Sequence, residues 1–229
     1  MKNISKQLSF NKWIFLRSET DRLLTASMAF SILMVLSRVV YTGNTLFLFL
    51  VWNLVLAYIP YVLTHWLQQR PSWIRHKIKF AAVFLIWLLL IPNSFYIITD
   101  LFHLSNAYVV PFWFDLAMIL SFAWNGMVLG ILSVRQMEKM IQIHASGKHE
   151  LLFVYPIMWL NALGIYIGRY LRFNSWDVVT SPFHLVADIT NVLCHPLQYK
   201  YAWGMILCFS VFLTLVYCTI KKISKSIYL

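Results

Sequence analysis

The sequence predicts an all-α, polytopic membrane helix bundle with six transmembrane helices and a short outer interfacial helix, both termini facing the cytoplasm. Three observations carry this expectation. Of 229 residues, 60% are hydrophobic and only 12% are charged, against roughly 45–50% and about 25% in soluble domains. The apolar residues gather into six runs, each near the ~20 residues a helix needs to cross ~30 Å of hydrocarbon. The basic residues are also unevenly shared. Fifteen of the 19 Lys and Arg fall on the side of the termini, and Arg38, Arg169, Arg172 and Lys200 fall on the other, the bias that orients a chain with its basic loops inside.

Residues 1–22 form a basic segment carrying Lys2, Lys6, Lys12, Arg17 and Arg22. That charged region is longer than a signal peptide's, and 23–40 is expected to be a retained first span. Arg38 sits near its far end, within reach of the headgroups by snorkelling. After the Tyr41-Thr42-Gly43-Asn44 turn, a second span covers 45–66, interrupted by Asn53 and Pro60. Arg70, Arg75, Lys77 and Lys79 fill the next loop, and 80–98 is the third span. The fourth, 113–134, contains Asp115, Asn125 and Gly126, and a loop with Arg135, Lys139 and Lys148 leads to the fifth, 151–168, as short as the first. The sixth is 201–220, followed by a basic tail, 221–229. Seven Gly and seven Pro are too few for long linkers, so 23–220 is expected to form one membrane domain.

Between the fifth and sixth spans lies a polar segment with a helix of its own at 181–194. Ser181 suits the N-cap and Pro182 the first helical position. Phe183, Val186, Ile189 and Leu193 form an apolar flank, and His184, Asp188, Asn191 and His195 align on another face. The segment is too short to span and is expected to be interfacial or re-entrant over the outer mouth of the bundle.

Several classes fall away. The net charge of +11 suggests nucleic acid, but the basic residues flank apolar runs, as topology demands, so no nucleic-acid partner is expected. Cys194, Cys208 and Cys218 are too far apart for a Cys-based metal motif or a disulfide framework. His76, His144 and His149 lie in basic loops without carboxylates at useful spacing.

The candidate site is the stretch 92–103. At about 100° per residue, Asn93, Tyr96, Asp100 and His103 fall within an arc of roughly 80°, a polar stripe at the end of an apolar run. Asp100 and His103 present a carboxylate and an imidazole on adjacent turns, an arrangement that suits acid–base catalysis. It equally suits metal ligation, with His184, Asp188 or His195 completing the set, as well as proton or ion passage, or a solvated helix end with no chemistry. Arg169, Arg172 and Trp176 share a helical face after the fifth span. With Asn174 they are candidate binders of an anionic lipid or polyprenyl-phosphate headgroup, because guanidinium groups grip phosphate bidentately and Trp favours the interface. The structural alternative is an ion pair of Arg169 or Arg172 with Asp100, Asp115 or Asp177.

These residues together resemble the domain-of-unknown-function family 1361. The resemblance rests on Trp52-Asn53 through Pro60, on Pro92-Asn93 with Tyr96, Ile97, Thr99, Asp100, Leu101 and His103, on Trp113-Phe114-Asp115, and on Gly164-Ile165-Tyr166 with Gly168 and the run from Arg169 to Asp177. The family pattern has Ala-Pro after Pro92-Asn93, where this chain has Ser94-Phe95. The resemblance implies a multi-span protein of the bacterial inner membrane and brings no activity with it. Function is therefore expected from the site itself: an envelope enzyme or lipid-handling protein acting on an amphiphilic anionic substrate. Arg169, Arg172, Asn174, Trp176, Tyr96 and Asn93 would bind it, with Asp100 and His103 as catalytic pair. A small ion-coupled transporter and a non-catalytic membrane assembly partner are the alternatives. The sequence names no cofactor and leaves open whether the protein is an enzyme.

Overall fold

A computed structural model describes residues 19–106, 110–143, 150–173 and 177–226. The first helix, α1 (Glu19–Thr42), ends at Gly43, whose positive φ of 68° suits a residue without Cβ. A single 3₁₀ turn, Leu46–Leu48, leads into α2 (Phe49–Gln68). A one-turn helix, α3 (Pro71–Arg75), precedes α4 (Lys77–Leu90). Helix α5 (Pro92–Tyr96) follows a break at Ile91 and passes into a 3₁₀ segment, Ile97–Asn106. Then come α6 (Phe112–Gln142), α7 (Glu150–Tyr166) with a π turn at Ile167–Leu171, the short α8 (Asp177–Thr180), α9 (Pro182–Cys194) and α10 (Lys200–Ser226).

Among the described residues the fold is all-α, without a strand, and five helices are long and apolar enough to cross a membrane. These are Glu19–Thr42, Leu46–Gln68, Lys77–Leu104, Phe112–Gln142 and Lys200–Ser224. The expected fifth span corresponds to α7, which has 17 residues before its π turn and is not among the five.

Helix α6 organises the bundle. Its apolar window is 61% buried, against 22–33% in the other four, and it packs on α1, α2, α5 and the 3₁₀ segment. It also runs past the predicted boundary at 134 to Gln142, because the polar residues there turn inward rather than marking an exit. Gln136 accepts from Thr64 Oγ1 at 2.7 Å, and Glu138 takes Lys221 Nζ at 2.7 Å together with the Tyr217 hydroxyl. Arg135 and Lys139, expected in a loop, are therefore helical, and the helix of α10 likewise continues through Lys221 and Lys222.

Intramembrane polar groups cross-link the helices. Asn125 of α6 donates to Ser31 Oγ of α1 at 2.9 Å. Ser133 Oγ accepts from the Trp87 indole at 2.8 Å and donates to the Pro60 carbonyl at 3.0 Å, which ties α4 and α2 to α6. Arg38 corrects the sequence reading most sharply. It does not snorkel: it is 3% exposed and grips Asp115 of α6 with Nε at 2.7 Å and Nη2 at 3.2 Å, its guanidinium stacked over Phe47. A buried aspartate that accepts two parallel N–H donors outcompetes a headgroup.

Candidate functional site

The site is built on a break in a helix. Pro92 has no N–H for the Leu88 carbonyl and its ring obstructs a continuous turn, so α4 stops at Leu90 and α5 restarts at Pro92. Glycines hold that short helix from two sides. In α6, a Cβ on Gly126 would stand 2.6 Å from the Ser94 carbonyl, and one on Gly130 would stand 2.7 Å from the Phe95 ring. In α7, a Cβ on Gly164 would stand 2.6 Å from the Pro92 ring, and one on Gly168 would stand 3.1 Å from the Tyr96 ring. Two small-x-x-x-small faces thus clamp one five-residue helix, the device by which membrane helices approach closely. Ser94 Oγ adds a third hold by donating to the Ala57 carbonyl of α2 at 2.8 Å. The Ser94-Phe95 pair therefore fills the clamp.

Beyond Tyr96 the backbone tightens into ten residues of 3₁₀ helix, an unusually long run. At three residues per turn, positions three apart eclipse, so Asp100 and His103 stand one above the other instead of spreading across an arc. They nevertheless share no hydrogen bond. Arg169, from the π turn after α7, lies between them. Its Nη1 is 3.2 Å from His103 Nε2 and 3.4 Å from the Tyr96 hydroxyl, and its Nη2 donates to the Thr99 carbonyl and stands 3.5 Å from Asp100 Oδ1. Arginine only donates, so the imidazole accepts at Nε2. The dyad expected from Asp-x-x-His is thus replaced by a triad with a guanidinium at its centre.

Asp100 is fully buried, and its Oδ2 accepts from Asn53 Nδ2 of α2 at 2.8 Å. Its Oδ1, like Arg169 Nε, has no hydrogen bond. The ring of His103 lies edge-on to Phe49, 5.0 Å between centroids.

Against this polar knot lies a cavity of about 330 Å³, within the usual range for ligand sites. One end carries Asn53, Asn93 and Tyr96, and the remainder is apolar, including Leu56, Leu163, Ile167 and Phe173. Leu89 of α4 and Leu160 of α7 also line it, although they are 51% and 36% exposed on the outside of the bundle. They form its lip. Helix α9 closes another side with Leu185 and Ile189, and Trp203 Nε1 of α10 holds it by donating to the Val192 carbonyl at 2.9 Å.

The remaining predicted residues do not join this centre. Arg172 is exposed and adopts a left-handed conformation, φ 59°, where the helix ends, so the shared face expected for Arg169 and Arg172 is lost. Asn174 and Trp176 lie outside the described residues. Asp115 belongs to Arg38. On α9 the docking face is Leu185, Ile189 and Val192, while the predicted flank leaves Phe183 88% and Val186 60% exposed. His184, Asn191 and His195 are exposed, and among the described residues no group of three His, Cys, Asp or Glu is placed to hold a metal ion. Asn53 is the residue sequence reasoning undervalued; an amide inside an apolar span, level with a buried carboxylate, was its signal.

A family model described as a protein of unknown function (DUF1361) matches residues 52–216. The chain belongs to the DUF1361 family. No curated protein and no solved structure matches it. In this DUF1361 protein the matched region begins just before Asn53 and ends in α10, so it contains the glycine clamp, the Arg169 triad and the cavity, and leaves out α1 with Arg38.

Proposed function

We propose that this DUF1361 protein is a lipid-handling protein of the bacterial inner membrane that holds one amphiphile in the cavity between α4, α5, α7 and α9. The observation that carries the reading is the cavity's polarity and opening together. Its body is apolar, its inner end has hydrogen-bonding groups, and its lip is made of leucines exposed on the faces of apolar helices. A chain from the bilayer would slide in sideways between Leu89 and Leu160, and the head would lodge against Asn53, Asn93 and Tyr96.

Topology fits the same reading. Helix α7 and its π turn together approach the length of a crossing, which would make six spans with both termini inside. The excess of basic residues on the terminal side then sets the Arg169 triad towards the outer leaflet. Arg169, Asp100 and His103 serve here to hold Tyr96 and Asn53 in place at the head-binding end.

Native mass spectrometry of protein extracted in mild detergent tests this. Wild type should retain one amphiphile per chain, and Leu160→Trp and Leu89→Trp, which fill the lip from positions already exposed, should release it without loss of fold. Wild-type protein that carries no amphiphile, or variants that keep it, would defeat the proposal.

A further inference from the structure

The chemistry of the cavity's inner end restricts what head it can take, given that the cavity binds an amphiphile at all. Among the described residues none that lines it is charged, and the polar ones are Asn53, Asn93 and Tyr96. Amides and a phenol each offer both a donor and an acceptor, the equipment for binding hydroxyls rather than for neutralising an anion.

Arg169 follows the lining residue Gly168 and reaches Tyr96, but its charge is already answered. Its Nη atoms face the Thr99 carbonyl, the Tyr96 hydroxyl, His103 and the Asp100 carboxylate. Asp100 is fully buried. A phosphate brought to this end would place a second anion beside that carboxylate at low dielectric, with one guanidinium to share between them. Like charges repel strongly where water is excluded. Asp100 does not itself line the cavity but lies behind Asn53, whose Nδ2 donates to its Oδ2 at 2.8 Å, so it acts on a head through its charge. A phosphodiester has no donor to give, whereas a hydroxyl gives one and accepts one.

We propose that the amphiphile's head is uncharged and hydroxyl-bearing, as in a glycerol, sugar or long-chain alcohol, and is not a phosphate. Selectivity arises because Asn53, Asn93 and Tyr96 hydrogen-bond the hydroxyls while Asp100 repels anions.

The test is competition in detergent-solubilised full-length protein. A fluorescent fatty-chain probe is displaced by a monoacylglycerol, an alkyl glucoside and an alkyl phosphate of equal chain length, on wild type, Tyr96→Phe, Asp100→Asn and Leu160→Trp. On wild type the two uncharged compounds should compete at least about tenfold better than the phosphate, the difference that hydrogen bonds to Asn53, Asn93 and Tyr96 and the avoided repulsion from Asp100 make. Asp100→Asn should narrow or reverse that preference, and Tyr96→Phe should weaken the hydroxyl compounds while sparing the phosphate. Equal or better displacement by the alkyl phosphate on wild type overturns the uncharged head and leaves the cavity reading standing. Absence of probe binding, or binding that Leu160→Trp does not diminish, overturns the cavity reading itself.

Discussion

Two buried arginine–aspartate pairs sit in the same bundle and differ in nearly every respect that matters for function. Arg38 and Asp115 meet through two donors at 2.7 and 3.2 Å, are 3% and 0% exposed, and are roofed by Phe47. Arg169 and Asp100 stand 3.5 Å apart, with Asp100 Oδ1 and Arg169 Nε lacking hydrogen bonds, next to a cavity. The first pair is complete and leaves nothing for a ligand to do. The second shares its arginine with Thr99, His103 and Tyr96, so its electrostatic energy is spread over groups that include the cavity-lining Tyr96. Membrane burial of charge is costly in both places; only the closed pair offsets that cost by its own geometry.

The largest expected effect comes from breaking the closed pair. Asp115→Ala leaves Arg38 buried without a partner and should cost about 3–5 kcal/mol, read as a shift in detergent-induced or thermal unfolding. Replacing both residues, Arg38→Met with Asp115→Leu, should recover most of the loss, since an apolar pair of similar volume removes the desolvation penalty altogether. A single variant as stable as wild type would contradict the description of a structural lock.

Next comes the clamp, on which the open pair depends and the closed pair does not. At Gly126 an added methyl meets backbone, the Ser94 carbonyl at 2.6 Å, rather than the end of a flexible side chain. Gly126→Ala should therefore cost about 1–3 kcal/mol, the range for overpacking. Gly204→Ala in α10 has nothing within 4 Å of the new Cβ and should be stabilising by roughly 0.5–1 kcal/mol from helix propensity. If both glycines responded alike in the same unfolding assay, close approach would not be what fixes α5.

The contrast between the pairs also marks what the sequence could and could not convey. Hydropathy placed the helices, because membrane insertion is decided by local runs of apolar residues, and five of them have the length and composition to span. Helix ends were less legible. Polar residues such as Gln136 and Glu138 look like a boundary until their partners on α2 and α10 are known. The pairing of Arg38 with Asp115 joins residues 77 positions apart, and no local rule distinguishes it from a snorkelling arginine. The site stretch was visible as a polar stripe after Pro92, yet its 3₁₀ twist was not, since helical periodicity at 100° per residue was the assumption rather than the result. Gly126-x-x-x-Gly130 and Gly164-x-x-x-Gly168 were legible as spacing. Only the packing reveals that both face the same short helix.

The smallest expected loss of stability is at the open pair, and it is the one that separates a lock from a binding wall. Asp100→Asn keeps the shape, and Arg169 retains the Thr99 carbonyl, the Tyr96 hydroxyl and His103 as partners. The loss should be about 1–2 kcal/mol, well below that of the closed pair, because a long, shared contact contributes less than a bidentate one. Ligand binding should change far more than stability does. Without the carboxylate, Arg169 becomes a buried cation whose charge only an anionic head can balance, so the variant should co-purify with phosphate-bearing lipid where wild type does not. Quantifying bound lipid and unfolding midpoints on the same preparations checks both halves at once. A drop as large as that of Asp115→Ala with no change in the bound lipid would make Asp100–Arg169 a second lock and leave the cavity without an electrostatic gate.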